Sequence, residues 1–302
     1  MAVEAIHLPG RTVEKVRPRA KLFEGEFWLV VTALLGFLLA GVCAVWIMLY
    51  GEKVAPGGSI SRAFSFNAAL GMFMLSTAAI MPYAAMGERG RAFFRWSYTV
   101  LALYSYFAEN VQNFRGVNPR YVKNGAPFDE MVGSIFATVA LLLILYYLYL
   151  AVYFFRRKAY VLRPELVVGI RYAIIAVLIS FAAGVWISVN AGRMVGSHGN
   201  LIVLHGLGFH ALQAVPVVAW LTERTSLTAQ RRFQFIHITG LSYLLGLVAV
   251  GWQTYLGHDV FEASGLPVVI FCCFLISIVA GGMVLSKTPW GSRMHHKMLG
   301  DK

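Results

Sequence analysis

The sequence predicts an all-α integral membrane protein with eight transmembrane helices, built as two parallel four-helix repeats with both termini cytoplasmic. Three observations carry that expectation. Hydrophobic residues make up 58% of the 302-residue chain and charged residues only 13%, a composition of polytopic membrane proteins and not of soluble domains. The apolar residues fall in runs of roughly 20, the length that spans a bilayer. The basic residues gather on one side of those runs. Of 26, only Lys53, Arg62, Arg115, Arg120, Lys123 and Arg193 fall on the other side, and the positive-inside rule therefore places both termini in the cytoplasm.

Taken in order, residues 1–26 form a basic cytoplasmic tail. The first four-helix repeat, 27–158, holds spans at Phe27–Tyr50, Phe64–Met86, Ala92–Gln112 and Met131–Phe155. The second, 159–286, holds Val167–Val189, Leu201–Leu221, Phe233–Tyr255 and Leu266–Leu285, and residues 287–302 form a cytoplasmic tail. Trp46, Tyr50, Trp252 and Tyr255 sit near span ends, as interfacial aromatic belts do. The first run is longer than a signal-peptide core and has no convincing cleavage site after it, so it reads as a retained helix. Arg17, Arg19, Arg89, Arg91, Arg156, Arg157, Arg231, Arg232 and Lys287 mark the cytoplasmic side.

The repeat is read from the third and seventh spans. Gln112, Phe114 and Gly116 stand 141 residues before Gln253, Tyr255 and Gly257. The same offset takes Phe27 to Val168 and Gly51 to Gly192, and Leu70-Gly71 resembles Leu207-Gly208. Four helices per unit leave the halves in the same orientation, related by an axis normal to the membrane.

The net charge of +12 comes from these topological clusters. No basic surface with interleaved stacking aromatics is present, which excludes nucleic acid as a partner. Cys43, Cys272 and Cys273 lie in apolar runs and make neither a disulfide framework nor a CxxC site. P-loop, GxGxxG, HExxH and GxSxG motifs are absent from the sequence. Gly246 and Gly281-Gly282 read as close-packing positions between helices.

Candidate site residues are the polar groups that the topology brings to one depth. They are Glu109, Gln112, Asn113 and Arg115 on and after span three, His205, His210 and Gln213 on span six, and Gln253 on span seven. Asn190, Arg193 and His198 lie in the connections at that end. Glu109 is the only one of the 14 acids inside a predicted span, a functional candidate by default, and its structural alternative is an ion pair with Arg115 or Arg193. Gln112 and Gln253 read equally as glue between helices. His205, Phe209, Gln213 and Pro216 share one helix arc, with His210 at its shoulder. The two histidines, five apart, diverge by roughly 140°, which argues against one ion between them and for no metal site. His237 lies about 10 Å deeper, so a bis-histidine haem lacks facing ligands. His295-His296 reads as a solvated part of the tail.

At Gln112-Asn113-Phe114-Arg115-Gly116, Gly208-Phe209-His210-Ala211-Leu212-Gln213 with Pro216, and Trp252-Gln253, the chain resembles an uncharacterised family of bacterial multi-pass inner-membrane proteins. The resemblance runs from span two onward and implies no assigned reaction. That family often carries a histidine-bearing loop after its RG pair. This chain reads VNPRYVKNGAPFDE there, so no metal role carries over.

The expectation is a bacterial inner-membrane protein, in contact with the lipid bilayer, whose periplasm-facing polar pocket binds a small-molecule or lipid-like ligand. A redox role with quinone or haem and a transport role both suit such a pocket. The competing readings are an intramembrane lipid-modifying enzyme with Glu109 and His205 as acid–base partners, and a non-catalytic subunit or assembly factor with a membrane-complex partner.

Overall fold

The computed structural model describes residues 7–8, 11–12, 21–122, 125–262 and 265–291. Of the residues singled out above, Arg17, Arg19, Lys123, His295 and His296 lie outside the described residues. The chain is almost wholly helical: α1 (Phe27–Tyr50), α2 (Ile60–Ile80), α3 (Glu88–Phe114), α4 (Pro127–Phe155), α5 (Arg157–Leu162), α6 (Pro164–Val189), α7 (Leu201–Thr222), α8 (Ala229–Tyr255) and α9 (Gly265–Ser286). A short 3-10 turn, Met81–Tyr83, follows α2. Three two-residue hairpins complete the described elements: β1 (His7–Leu8) with β2 (Arg11–Thr12), β3 (Lys53–Val54) with β4 (Gly58–Ser59), and β5 (Met194–Val195) with β6 (Gly199–Asn200).

Seven of these helices are long and apolar enough to cross a membrane: α1, α2 with its 3-10 turn, α4, α6, α7, α8 and α9. The remaining predicted span forms α3, a 27-residue helix whose charges, including Glu88, Arg89, Arg91, Arg95 and Glu109, hold its mean hydropathy too low to join them. Several helices begin three or four residues before the apolar runs do. The Ser59 hydroxyl caps α2 by accepting from the Arg62 amide, and the Thr228 hydroxyl caps α8 by accepting from the Arg231 amide. Pro127 and Pro164 open α4 and α6, where a missing N–H costs nothing. Hydrophobic periodicity is blind to such polar first turns. In consequence Glu88, Asp129, Glu130 and Glu165 also lie in helices, at N-termini where the helix dipole favours negative charge.

The two halves of the chain are assembled alike. In the first, α1 packs on α2, both touch α3, and α3 packs on α4; in the second, α6 packs on α7, both touch α8, and α8 packs on α9. Between the first two helices of each half runs a hairpin, with pairs Lys53↔Ser59 and Val54↔Gly58 in one and Met194↔Asn200 and Val195↔Gly199 in the other. Each hairpin rests on a helix end of the same design. Gly116 and Gly257 both take φ +80°, a left-handed conformation open to glycine. Their amides donate to the Asn113 and Thr254 carbonyls, and the next amides, of Val117 and His258, donate to the Gln112 and Gln253 carbonyls. This is a Schellman closure at both α3 and α8. The Gly57 amide donates to the Gly116 carbonyl at 2.7 Å, and the His198 amide donates to the Gly257 carbonyl at 3.0 Å. At the opposite end, Arg91 pairs with Glu26 and Arg232 with Glu165.

The halves meet along α2–α7 and α4–α6. Phe73 sits at the centre of that contact, its ring against Tyr98 and Tyr147 on one side and Phe181 and Phe209 on the other. At the end away from the β3–β4 and β5–β6 hairpins, Arg163 ties the halves together. It forks onto the Glu223 carboxylate, with Nη2 2.5 Å from Oε2, and lies over the Tyr83 ring at 4.8 Å. Burial works against its charge, but the hydrogen bonds and attraction of Glu223 outweigh that and raise the guanidinium pKa above its ordinary value.

Candidate functional site

The site is built where the hairpin ends of the two halves converge. Tyr98, Ala102, Ser105, Tyr106, Glu109, Gln112 and Asn113 form the buried face of α3. Glu109 is entirely buried. Its Oε1 accepts from Arg120 Nε at 2.6 Å and its Oε2 accepts from Asn113 Nδ2 at 3.1 Å. Asn113 also accepts from the Ser59 amide at 3.0 Å, which fastens the carboxylate to the start of α2. Each carboxylate oxygen thus has a side-chain donor, one of them a guanidinium, which offsets the cost of burying it.

The partner of Glu109 is therefore Arg120, neither Arg115 nor Arg193. Arg120 arrives from the loop between α3 and α4 and lies 5.5 Å over the Phe66 ring of α2. The adjacent Tyr121 donates its hydroxyl to the Ile187 carbonyl of α6 at 3.0 Å. This loop thus crosses from one half to the other. Arg115 is turned away: it pairs with Asp129 at 3.1 Å and stacks on Phe128. Arg193 is exposed on the second hairpin side, within electrostatic range of Arg62 together with Arg120 and Glu109.

His205 stands on α7 at the same junction, within electrostatic reach of Arg120. Its Nδ1 donates to the Ser180 carbonyl at 2.7 Å, while the Ser180 hydroxyl donates back to the His205 carbonyl. The ring packs edge-on against Phe209 and occupies space that any side chain at Gly184 would take. With Nδ1 donating, a neutral ring presents Nε2 as a bare acceptor. His210 lies on another face, exposed. It donates from Nδ1 to Gln213 Oε1 at 3.2 Å, and Gln213 in turn donates to the Ser76 hydroxyl of α2 at 2.6 Å. That pair bridges the halves but does not join the Glu109 cluster.

The two glutamines differ. Gln253 donates to the Asp259 carbonyl at 2.9 Å, a local closure of its own helix end. Gln112 is fully buried, and neither of its amide atoms has a hydrogen-bond partner among the described residues.

Sequence reasoning passed over several members of this region. Asn67 and Asn110 exchange two hydrogen bonds, 2.9 and 3.0 Å, across α2 and α3, with the Cys43 thiol against them. Asn67 stands in an otherwise apolar stretch, which is the available signal, and Asn110 belongs to the polar run 109–113. Arg62 and Arg120 were counted as topological charges. Among the described residues no three His, Cys, Asp or Glu side chains gather as a metal site. His237, the third histidine in an apolar helix, is hydrogen-bonded to the Tyr172 hydroxyl at 2.9 Å.

No protein-family model, curated protein or solved structure matches the chain.

Proposed function

We propose that the protein is a bacterial inner-membrane protein of eight spans, α3 being the eighth. In this reading it consists of two parallel four-helix repeats, with both termini in the cytoplasm and the β3–β4 and β5–β6 hairpins on the periplasmic side. The matching hairpin registers, the paired Schellman closures at Gly116 and Gly257 and the 141-residue spacing support the duplication. The rarity of basic residues at the hairpin end supports the orientation.

The junction at that end is a binding site for a small or amphipathic ligand. One observation carries this: a wholly buried carboxylate, Glu109, is bound by an arginine from the loop that crosses to the second repeat, and that arginine is within electrostatic reach of His205, whose Nδ1 is engaged by Ser180. Buried charge is expensive to install in a membrane protein, and packing alone is served as well by apolar side chains. A redox role with quinone or haem and a transport role both fit such a site. Protein purified in mild detergent is expected to carry a small molecule, detectable by mass spectrometry of its organic extract, that is depleted in Glu109→Gln and His205→Gln. A haem would declare itself by a Soret band. If wild type and both folded variants carry the same molecules, the polar groups are a structural lock and the reading of an assembly subunit takes its place.

A further inference from the structure

The Glu109 junction holds more positive charge than its one carboxylate neutralises. Six basic residues lie on the hairpin side of the chain, and Arg62 stands within electrostatic range of two of the others, Arg120 and Arg193, and of Glu109. Arg62 and Phe66 are one turn apart on α2 and share a face. Arg120 covers the Phe66 ring, one helical turn from Arg62. Arg120 is committed to Glu109. Arg62 is not: its Nη1 is buried and has no hydrogen-bond partner among the described residues. A buried, unpaired guanidinium nitrogen is costly, and the group it is shaped to receive is a planar or tetrahedral oxyanion. Its depth is that of a headgroup, because Arg62 is the third residue of α2, with apolar helix surface beyond it.

Resting on the reading of this junction as a ligand site, we propose that it binds the anionic head of an amphiphile, a phosphate or carboxylate, with Arg62 as the principal contact. The tail then lies along the apolar surface beside Phe66. Arg62, with two further arginines in electrostatic range, attracts such a head, and the orphaned Nη1 gives it a hydrogen-bond donor.

The test compares dioctanoyl phosphatidic acid, inorganic phosphate and dioctanoylglycerol as probes of the full-length protein in maltoside micelles, read by thermal unfolding over a concentration series. Phosphatidic acid is expected to raise the midpoint and dioctanoylglycerol to leave it unchanged. Phosphate acting as strongly as phosphatidic acid would reassign the same contact to a free anion. Arg62→Gln breaks no hydrogen bond at Nη1 and is expected to melt like wild type without probe, yet to bind about tenfold or more weakly. Arg62→Lys, which keeps the charge and loses the fork, should fall between the two. Arg89→Gln, an exposed change at the opposite end, should bind as wild type does. Equal affinity of wild type, Arg62→Gln and Arg62→Lys, or equal stabilisation by dioctanoylglycerol, overturns the anionic contact while leaving the ligand site standing. No response to any probe also overturns the anionic contact, whereas the ligand site itself falls only if the extracts of wild type and of the Glu109 and His205 variants are the same.

Discussion

Gln112 and Gln253 occupy the same position in two helix ends of one design, three residues before the cap, yet among the described residues only the Gln253 side chain has a hydrogen-bond partner. Their substitution should therefore have opposite consequences. Gln253→Leu removes the donor to a carbonyl in a tight turn and should cost about 1–3 kcal/mol. Gln112→Leu removes a buried amide that is unsatisfied and should hold or raise stability. Chemical unfolding in micelles checks both, and equal losses would show that Gln112 is bonded after all.

The Glu109–Arg120 pair predicts a strongly non-additive cycle. Arg120→Ala leaves a buried carboxylate with only Asn113 and should cost about 3–5 kcal/mol. Glu109→Gln leaves Arg120, with Arg62 in electrostatic range, without its counter-charge and should also destabilise. The double variant Glu109→Gln, Arg120→Gln should recover part of the summed loss. Strict additivity would mean that the pair contributes nothing.

The two cap glycines should not be equally sensitive. Both have φ +80°, so alanine costs about 1 kcal/mol or somewhat more at either from backbone strain. At Gly116 an added Cβ also collides with the Ala55 carbonyl, whereas at Gly257 its nearest neighbour is Gly196 Cα at 3.2 Å. Gly116→Ala is expected to lower the unfolding midpoint well beyond Gly257→Ala. The reverse order would contradict the seating of the β3–β4 hairpin.

Arg163 holds the halves together at the other end by lying over Tyr83, and Glu223 of its own half fixes it there. Arg163→Ala strands a buried carboxylate and should destabilise by about 3–5 kcal/mol. Arg163→Lys should recover little, because an ammonium cannot reproduce the two-pronged contact. Full rescue by lysine would reduce the contact to simple charge.

Orientation is tested by reporter fusions. Those at Gly125 and His258 should report periplasm, and those at Lys158 and Lys297 cytoplasm. An inverted pattern would move the Glu109 junction to the cytoplasmic side and exclude periplasmic ligands.

Helix content was legible from the chain alone because membrane helices announce themselves locally. Phe27–Tyr50 is bounded in the structure as its apolar run predicts, and the Gln-x-x-x-Gly spacing at Gln112 and Gln253 marks two equivalent helix ends. In the sequence that spacing points to a repeat, and part of its meaning is a cap: the glycine is needed for its positive φ. What only the tertiary structure decided is which polar groups meet. Glu109 had two nearby arginines in prospect and took a third, Arg120, because the path of the loop after α3 brings it back over α2. Asn67 and Asn110 lie 43 residues apart, and their pairing depends on the rotation and depth of two helices. His205 and His210 part company because α7 presents one to Ser180 and the other towards Gln213 and α2. Local periodicity sets the face on which a residue lies. Which group stands opposite is set by packing and loop geometry, and these depend on the whole chain at once.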